Sequence, residues 1–164
     1  MSQDPLQRNS EELGRLLEAR GLRVVTAESC TGGWIGKALT DIAGSSGWVE
    51  GGFISYSNRC KQQMLGVDPA LLGEHGAVSE PVVKAMAIGA LARTDADLSV
   101  AVSGVAGPGG GSADKPVGLV WFAWARAEGE VRAEAMRFSG DREAIRLQAV
   151  GFALHGLQEL VDGG

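Results

Sequence analysis

Cysteine, histidine and aromatic residues are scarce in this chain of 164 residues, and their scarcity excludes several kinds of site. The cysteines are Cys30 and Cys60 and the histidines are His75 and His155, which stand at no spacing typical of metal ligands. We therefore expect no metal and no other cofactor. Two thiols, in a chain whose polar amino-terminal segment has no secretory pattern, favour reduced cysteines and a cytoplasmic protein.

Basic residues and long apolar runs are also lacking. Lysine and arginine number 15 against 20 acidic residues, which gives a net charge of −5. Without a dense basic run, this balance argues against nonspecific nucleic-acid binding, so an anionic ligand would need a local pocket. Apolar stretches such as 117–125 are too short to cross a bilayer. Hydrophobic residues make up 45% of the chain and charged residues 21%, as expected of one globular domain spanning residues 1–164.

Segments with strand character alternate with helical segments along the chain. Apolar residues at helical spacing predict the longer helices at 6–20, 34–42, 82–93 and 145–161, and Asn58 is a candidate cap for a shorter one. Apolar, β-branched runs predict strands at 22–27, 48–56, 98–102, 117–127 and 131–138. The order predicts an α/β fold, a three-layer α/β/α sandwich with a mixed, mostly parallel sheet of about five strands. The pair Gly51–Gly52 indicates a bulge or a close approach in the second strand.

Two glycine-rich segments follow predicted strands. The first, 29–33, leads from an apolar strand into a helix, so backbone N–H groups at the helix start are expected to be unpaired and to attract an anion. Alternatively, Ser29 and Thr31 only cap that helix. The second segment, 103–112, follows the strand at 98–102. Because ligands of open α/β sheets bind beyond the carboxyl ends of the strands, both segments are expected at one site.

A serine activated by a lysine is the remaining route to a nucleophile in a chain with two histidines. His155 lies on an apolar helical face and is interpreted as a packed or surface residue, whereas His75 is either a ligand contact or an ordinary loop residue. Ser46 precedes the second strand and Lys61 follows it, with Tyr56 between them. Nine residues of strand would separate this pair by roughly 30 Å, unless the glycine break or a second subunit closes the gap.

Six motifs, taken in order, make the chain resemble a known family. They are AESCTGG at 27–33, GSS at 44–46, YSN at 56–58 with Lys61, HGAVS at 75–79, SGVAGP at 103–108 and KPVG at 115–118. Together they resemble the C-terminal domain of the CinA family, the competence/damage-inducible family whose stand-alone members are nicotinamide-nucleotide amidohydrolases. The resemblance runs from about Leu13 to Leu160. The nucleotide-processing amino-terminal domain of full-length members is expected to be absent.

The resemblance implies hydrolysis of the carboxamide of nicotinamide mononucleotide, giving nicotinate mononucleotide and ammonia. It implies Ser46 as the nucleophile, Lys61 as its base and Tyr56 beside them. To act as a base, Lys61 must lose its charge, which requires its pKa to fall by roughly 3 units through desolvation or nearby cations. The partner is then a small pyridine nucleotide, and the family resemblance also implies a homo-oligomer.

A nucleotide needs its phosphate and ribose held, and the two glycine-rich segments supply the candidates. The expected substrate-binding residues are Ser29, Cys30, Thr31, Gly32, Gly33, Ser103, Gly104, Gly107 and Arg142. Arg142 has an equally good interpretation as a solvated charge at the start of the last helix.

Two other functions remain open at this point. The same pocket could serve a nucleotide-binding regulatory module of a competence or DNA-damage response, although the set Ser46, Tyr56 and Lys61 speaks against a pure binder. An amidase acting on a different amide is the other alternative. Strong discrimination against nicotinamide riboside would separate the nucleotide enzyme from such an amidase.

Overall fold

A computed structural model describes residues 4–163, and residues 1–3 and 164, the ends of the predicted domain, lie outside this described part. Its strands form one mixed sheet in the order β2-β1-β3-β4-β5. The strands are β1 (Val24–Glu28), β2 (Val49–Ile54), β3 (Leu98–Gly104), β4 (Leu119–Arg126) and β5 (Val131–Arg137). β1 is parallel to β2 and β3, and β4 is antiparallel to β3 and β5. Only β4 therefore runs against the others, which confirms the mostly parallel sheet.

Helices cover both faces of the sheet. They are α1 (Pro5–Arg20), α2 (Trp34–Thr40), α3 (Asn58–Leu65), α4 (Pro69–His75), α5 (Glu80–Ala92) and α6 (Arg142–Asp162). One core joins α1, α2 and α6 to the sheet around Trp124, and a second joins α3, α4 and α5 to the opposite face around Met86. The predicted three-layer sandwich is therefore confirmed. Between residues 4 and 163, no helix is both long enough and apolar enough to cross a membrane.

Local sequence signals set several helix ends. Gly21 ends α1 in the left-handed conformation, with φ 65°, which a glycine adopts without strain. Ser79 stands directly before α5, in an extended backbone conformation. Ser57 rather than the predicted Asn58 caps α3, because the Ser57 side chain accepts a hydrogen bond from the Cys60 N–H and Asn58 is already the first helical residue.

The glycine pair in β2 is a place of both irregular pairing and close approach. The pairing of β2 with β1 skips Glu50, the residue before the pair. A Cβ atom at Gly52 would lie 2.4 Å from Thr26 Oγ1 on β1, closer than such contacts allow. The predicted interruption at Gly51–Gly52 is thus confirmed, and glycine is needed there because the neighbouring strand leaves no room for a side chain.

The carboxyl ends of β1, β2 and β3 meet at one edge of the sheet. The Ser29 N–H donates to the Val102 carbonyl at 3.0 Å, and the Ser55 N–H donates to the Glu28 carbonyl at 2.8 Å. In the sheet β1 lies between β2 and β3, and the chain connects β1 to β2 on one side, while β3 lies on the other side. Open α/β sheets bind ligands in the crevice where the strand order changes direction in this way, so the crevice lies at this edge. Both glycine-rich segments follow strands that end here, as predicted.

We expect two glycine-to-alanine changes on α6 to have opposite effects on stability. A Cβ atom at Gly156 would lie 2.0 Å from Trp124 Cε2. Gly156→Ala should therefore lower the free energy of unfolding by about 1–3 kcal/mol through overpacking. A Cβ atom at Gly151 would meet Leu6 Cδ2 at an ordinary 3.7 Å. Gly151→Ala should then raise stability by up to about 1 kcal/mol through helix propensity. Urea unfolding measures both, and equal effects would contradict the packing of α6 on β4.

Candidate active site

Lys61 is a buried lysine at the carboxyl edge of the sheet. It stands on α3, and its side chain is 1% exposed. Its Nζ lies 2.9 Å from Ser29 Oγ, 2.9 Å from the Ser55 carbonyl oxygen and 2.8 Å from the Tyr56 carbonyl oxygen. Because burial penalises the charged form, the pKa of Lys61 falls from 10.5 to about 8, against a smaller opposing effect of the thiols of Cys30 and Cys60.

The three contacts of Lys61 suit a neutral amine as well as a charged one. A neutral lysine has two N–H groups and one lone pair, whereas a carbonyl oxygen can only accept. As the structure stands, Lys61 Nζ donates to all three oxygens, and the Ser29 hydroxyl donates to the Tyr56 carbonyl at 3.4 Å. Once Lys61 is neutral, its two N–H groups can serve the carbonyls of Ser55 and Tyr56, and its lone pair can face the Ser29 hydroxyl. In this state Lys61 can accept the proton of Ser29, which is the arrangement that activates a serine nucleophile.

Ser29 lies where β1 ends and the turn to α2 begins. Its backbone is fixed by the hydrogen bond from its N–H to the Val102 carbonyl. The N–H groups of the next two residues, Cys30 and Thr31, form no hydrogen bond with another residue in the described part of the chain. Because these N–H groups follow the Ser29 hydroxyl directly, they can serve as donors to an oxyanion that forms there.

The Glu28 carboxylate occupies the amino-terminal end of α2, where the sequence predicted a site for an anion. Its carboxylate is 1% exposed and accepts hydrogen bonds from Thr31 Oγ1 at 2.6 Å and from the N–H groups of Gly33, Ile35 and Gly36 at 3.2, 2.9 and 2.9 Å. The prediction of free N–H groups at the start of α2 is therefore wrong. A buried carboxylate needs donors, and it finds them at the positive end of the helix. The capping alternative is wrong as well, since Glu28 takes the place expected for Ser29 and Thr31.

A cleft of about 260 Å³ opens onto Lys61 and Ser29. Small side chains form much of its wall, and in the part of the chain that the structure describes its charged lining residues are Lys61 and Arg142, with no carboxylate. The lining residues are Ser29, Cys30, Tyr56, Asn58, Lys61, Ala77, Val78, Ser103, Gly104, Ala106 and Arg142. Arg142 Nη1 donates to the Gly107 carbonyl at 2.7 Å, which sets the guanidinium at the edge of the cleft. The cleft is thus locally positive in a chain of net charge −5.

Most of the residues predicted for the site lie at this cleft. Those that line it are Lys61, Tyr56, Ser29, Cys30, Ser103, Gly104 and Arg142, and those that do not are Thr31, Gly32, Gly33, Gly107 and Ser46. The Gly32 N–H donates to the Ser29 carbonyl at 3.1 Å, so it supports the turn from within. The Tyr56 side chain is 60% exposed, and it is the carbonyl of this residue that holds Lys61.

Ser46 lies at the opposite end of β2 from the cleft. It belongs to a single 3₁₀ turn, Ser45–Gly47, where its carbonyl accepts a hydrogen bond from Arg23 Nη2 at 3.2 Å. The strand β2 separates it from Lys61 by roughly 20 Å, because a strand rises about 3.3 Å per residue. Within one chain the structure does not bring Ser46 to Lys61. Ser46 as the nucleophile stays a prediction, and it requires a second copy of the chain.

A larger cleft, of about 710 Å³, lies on the other side of the turn that carries Ser29. Trp34, Lys37 and Arg146 line it, and its lining within the described part of the chain includes neither serine nor cysteine. Arg146 Nε donates to the Cys30 carbonyl at 3.0 Å and so braces the turn from behind. Among residues 4–163, no group of three or more His, Cys, Asp or Glu side chains could hold a metal ion.

Comparison with known proteins gives a consistent result. Residues 6–161 match the family model described as the CinA C-terminal domain. Nicotinamide-nucleotide amidohydrolase PncC of Escherichia coli K12 is 57% identical over 157 residues, 96% of this chain and 95% of that protein. The protein of the same name from Pseudomonas putida is 51% identical over 157 residues, 96% of this chain and 98% of that protein. The crystal structure of the competence/damage inducible protein CihA from Agrobacterium tumefaciens has a TM-score of 0.94 at 46% identity, over 98% of both chains.

Glu28→Gln tests the anchoring of the turn. The amide has one acceptor oxygen and would turn its NH₂ group toward backbone N–H donors, so we expect the free energy of unfolding to fall by about 2–4 kcal/mol. Glu18→Gln, on the exposed face of α1, is the matched control and should change stability little. Urea unfolding compares the two variants. An equal, small effect would show that the carboxylate does not anchor the turn.

Proposed function

The chain belongs to the CinA C-terminal domain family, and on this premise we propose that it hydrolyses the carboxamide of nicotinamide mononucleotide to nicotinate mononucleotide and ammonia. Relatives that are 57% and 51% identical over nearly their whole length are named nicotinamide-nucleotide amidohydrolases. The observation that carries the proposal is the buried contact of 2.9 Å between Lys61 Nζ and Ser29 Oγ. A regulatory module that only binds a nucleotide has no need to bury a lysine without a carboxylate partner beside a hydroxyl group.

Ser29 is the nucleophile in this proposal, and Lys61 is its base. Ser29 Oγ attacks the carboxamide carbon while its proton passes to Lys61 Nζ, and the N–H groups of Cys30 and Thr31 donate to the developing oxyanion. Lys61 then gives the proton to the departing nitrogen, so that ammonia leaves and an ester remains on Ser29. Water attacks this ester with Lys61 again accepting a proton, and the carboxylate product leaves as the Ser29 hydroxyl is restored.

Burial accounts for most of the activation that Lys61 needs. An ordinary lysine, with a pKa of about 10.4, is neutral in fewer than about one molecule in a thousand at pH 7. Desolvation lowers the pKa of Lys61 to about 8. At that value roughly a tenth of the lysines are neutral at pH 7, so the resting protein already contains a usable fraction of the base.

The remaining cleft residues suit the rest of the nucleotide. Arg142 offers a guanidinium to the phosphate at the edge of the cleft, with Ser103 in the same wall. Asn58, the first residue of α3, lines the cleft and can donate to the ribose hydroxyls. Ala77 and Gly104, which are small, leave a slot for a planar ring next to Ser29.

Three alanine or methionine variants separate the candidate nucleophiles. Ser29→Ala and Lys61→Met should each lower ammonia release from nicotinamide mononucleotide by about a thousandfold or more, because each removes one half of the nucleophile and base pair. Ser46→Ala should stay within about threefold of the unmodified protein. Ammonia is measured with a chelator present, and circular dichroism verifies that each variant is folded.

The contrary outcomes of this experiment point to definite alternatives. Loss of activity in Ser46→Ala together with retention in Ser29→Ala would assign the nucleophile to Ser46 of a second copy. Nucleotide binding without any turnover would favour the regulatory module. Equal turnover of nicotinamide riboside would favour an amidase of wider specificity, since Arg142 would then have no phosphate to hold.

A further inference from the structure

The cleft assigned to the nucleotide leaves one charge of the substrate without a partner. Among residues 4–163, the charged residues that line it are Lys61 and Arg142, and none of the lining residues is a carboxylate. The phosphate can pair with Arg142, but the positively charged pyridinium ring has nothing negative to meet. The carboxamide carbon must also reach Ser29 Oγ, which lies 2.9 Å from Lys61 Nζ. The ring is attached directly to that carbon, so its charge is brought close to Lys61.

We propose that the pyridinium charge of the bound substrate drives Lys61 into its neutral form, so that the substrate itself completes the catalytic base. The inference rests on the proposed function and deepens it. The site is then matched to one class of substrate, a ring carboxamide whose ring is cationic and whose other end carries a phosphate. A neutral ring with the same carboxamide and phosphate would bind without activating the base.

Within residues 4–163, no carboxylate contacts the Lys61 amine or lines its cleft, so no carboxylate there offsets a second positive charge. The groups that face it are Ser29 and Cys30 from the turn after β1, the carbonyls of Ser55 and Tyr56 after β2, the thiol of Cys60 on α3 and Arg142 across the cleft from α6. Burial raises the pKa of the Cys30 thiol to about 11, so this thiol is neutral in the working range. Glu28 turns its carboxylate to the N–H groups of Ile35 and Gly36, at the start of α2.

The size of the effect follows from the chemistry of the substrate. The ring nitrogen of a nicotinamide bound for attack lies about 7 Å from Lys61 Nζ, and the repulsion at an effective dielectric constant of about 20–40 lowers the pKa of Lys61 by about one pH unit. From the free value of about 8, the pKa in the complex becomes about 7. The neutral fraction at pH 7 then rises from about a tenth to about a half.

The pH dependence of turnover by the unmodified protein is the first test. The profile of kcat/KM reports the free protein and the profile of kcat reports the complex. With nicotinamide mononucleotide we expect both to rise with pH as Lys61 becomes neutral, the first with an apparent pKa of about 8 and the second about one pH unit lower. Equal apparent pKa values in the two profiles would overturn the inference while leaving the proposed function intact.

Proton release on binding is the second test and needs no turnover. The Ser29→Ala protein is titrated by calorimetry at pH 7.5 in two buffers of different ionisation enthalpy, first with nicotinamide mononucleotide and then with its dihydro form, whose ring is neutral. The cationic nucleotide should release about half a proton and the dihydro form close to none. The two ligands carry the same phosphate, so any proton that the phosphate gains or loses is common to both.

Two further variants decide where the proton comes from. Adding Lys61→Met to the Ser29→Ala protein should abolish the release, whereas adding Lys84→Met, which removes a half-buried lysine on α5 paired with Glu80, should leave it unchanged. Equal release from both nucleotides, or release that persists without Lys61, would overturn the inference. If the unmodified protein neither binds nor hydrolyses the nucleotide, the proposed function fails, and the inference falls with it.

Discussion

The burial of Lys61 without an anionic partner is the constraint on which the site depends. A lysine placed in water would keep its proton at neutral pH, and a lysine placed beside a carboxylate would hold it more firmly still. Here the side chain is enclosed at the edge of the sheet, and the atoms that contact its Nζ are the oxygen atoms of neutral groups. Burying the lysine costs stability, and it leaves a side chain of lowered pKa next to Ser29, as the proposed mechanism requires.

Glu28 shows how the same region accommodates a buried charge of the opposite sign. It is as enclosed as Lys61, but its carboxylate receives hydrogen bonds from a hydroxyl group and from backbone N–H groups at the start of α2. These bonds fix the turn in which Ser29 stands, and Arg146 braces the same turn from the opposite side. One buried charge thus anchors the turn and the other is the proposed base, and the parallel strands bring the two together by ending at one edge.

The sequence was sufficient for the fold and for most of the cleft, for clear physical reasons. The alternation of apolar strands with helical faces is a local signal of secondary structure, and so are the helix-end residues Gly21 and Ser79. Packing then assembles the elements that these signals define. The carboxyl ends of parallel strands also predicted that Ser29 and Ser103 would lie at one edge of the sheet. The contact of Lys61 with Ser29 was not predictable from the sequence. It depends on how α3 is oriented on the sheet, because the Lys61 side chain must reach from α3 past β2 to the end of β1. The role of Glu28 could have been suspected from one signal, an acidic residue at the end of an otherwise apolar strand just before a glycine turn.

The covalent intermediate is the most direct test of the central claim that Lys61 activates Ser29. The protein is mixed with nicotinamide mononucleotide, quenched in acid within milliseconds and digested at lysine and arginine, which places Ser29 in peptide 24–37 and Ser46 in peptide 38–59. The account predicts that the added mass of the nicotinyl nucleotide is found on Ser29 and is absent when Lys61→Met is treated in the same way. The same mass on peptide 38–59 would contradict the account.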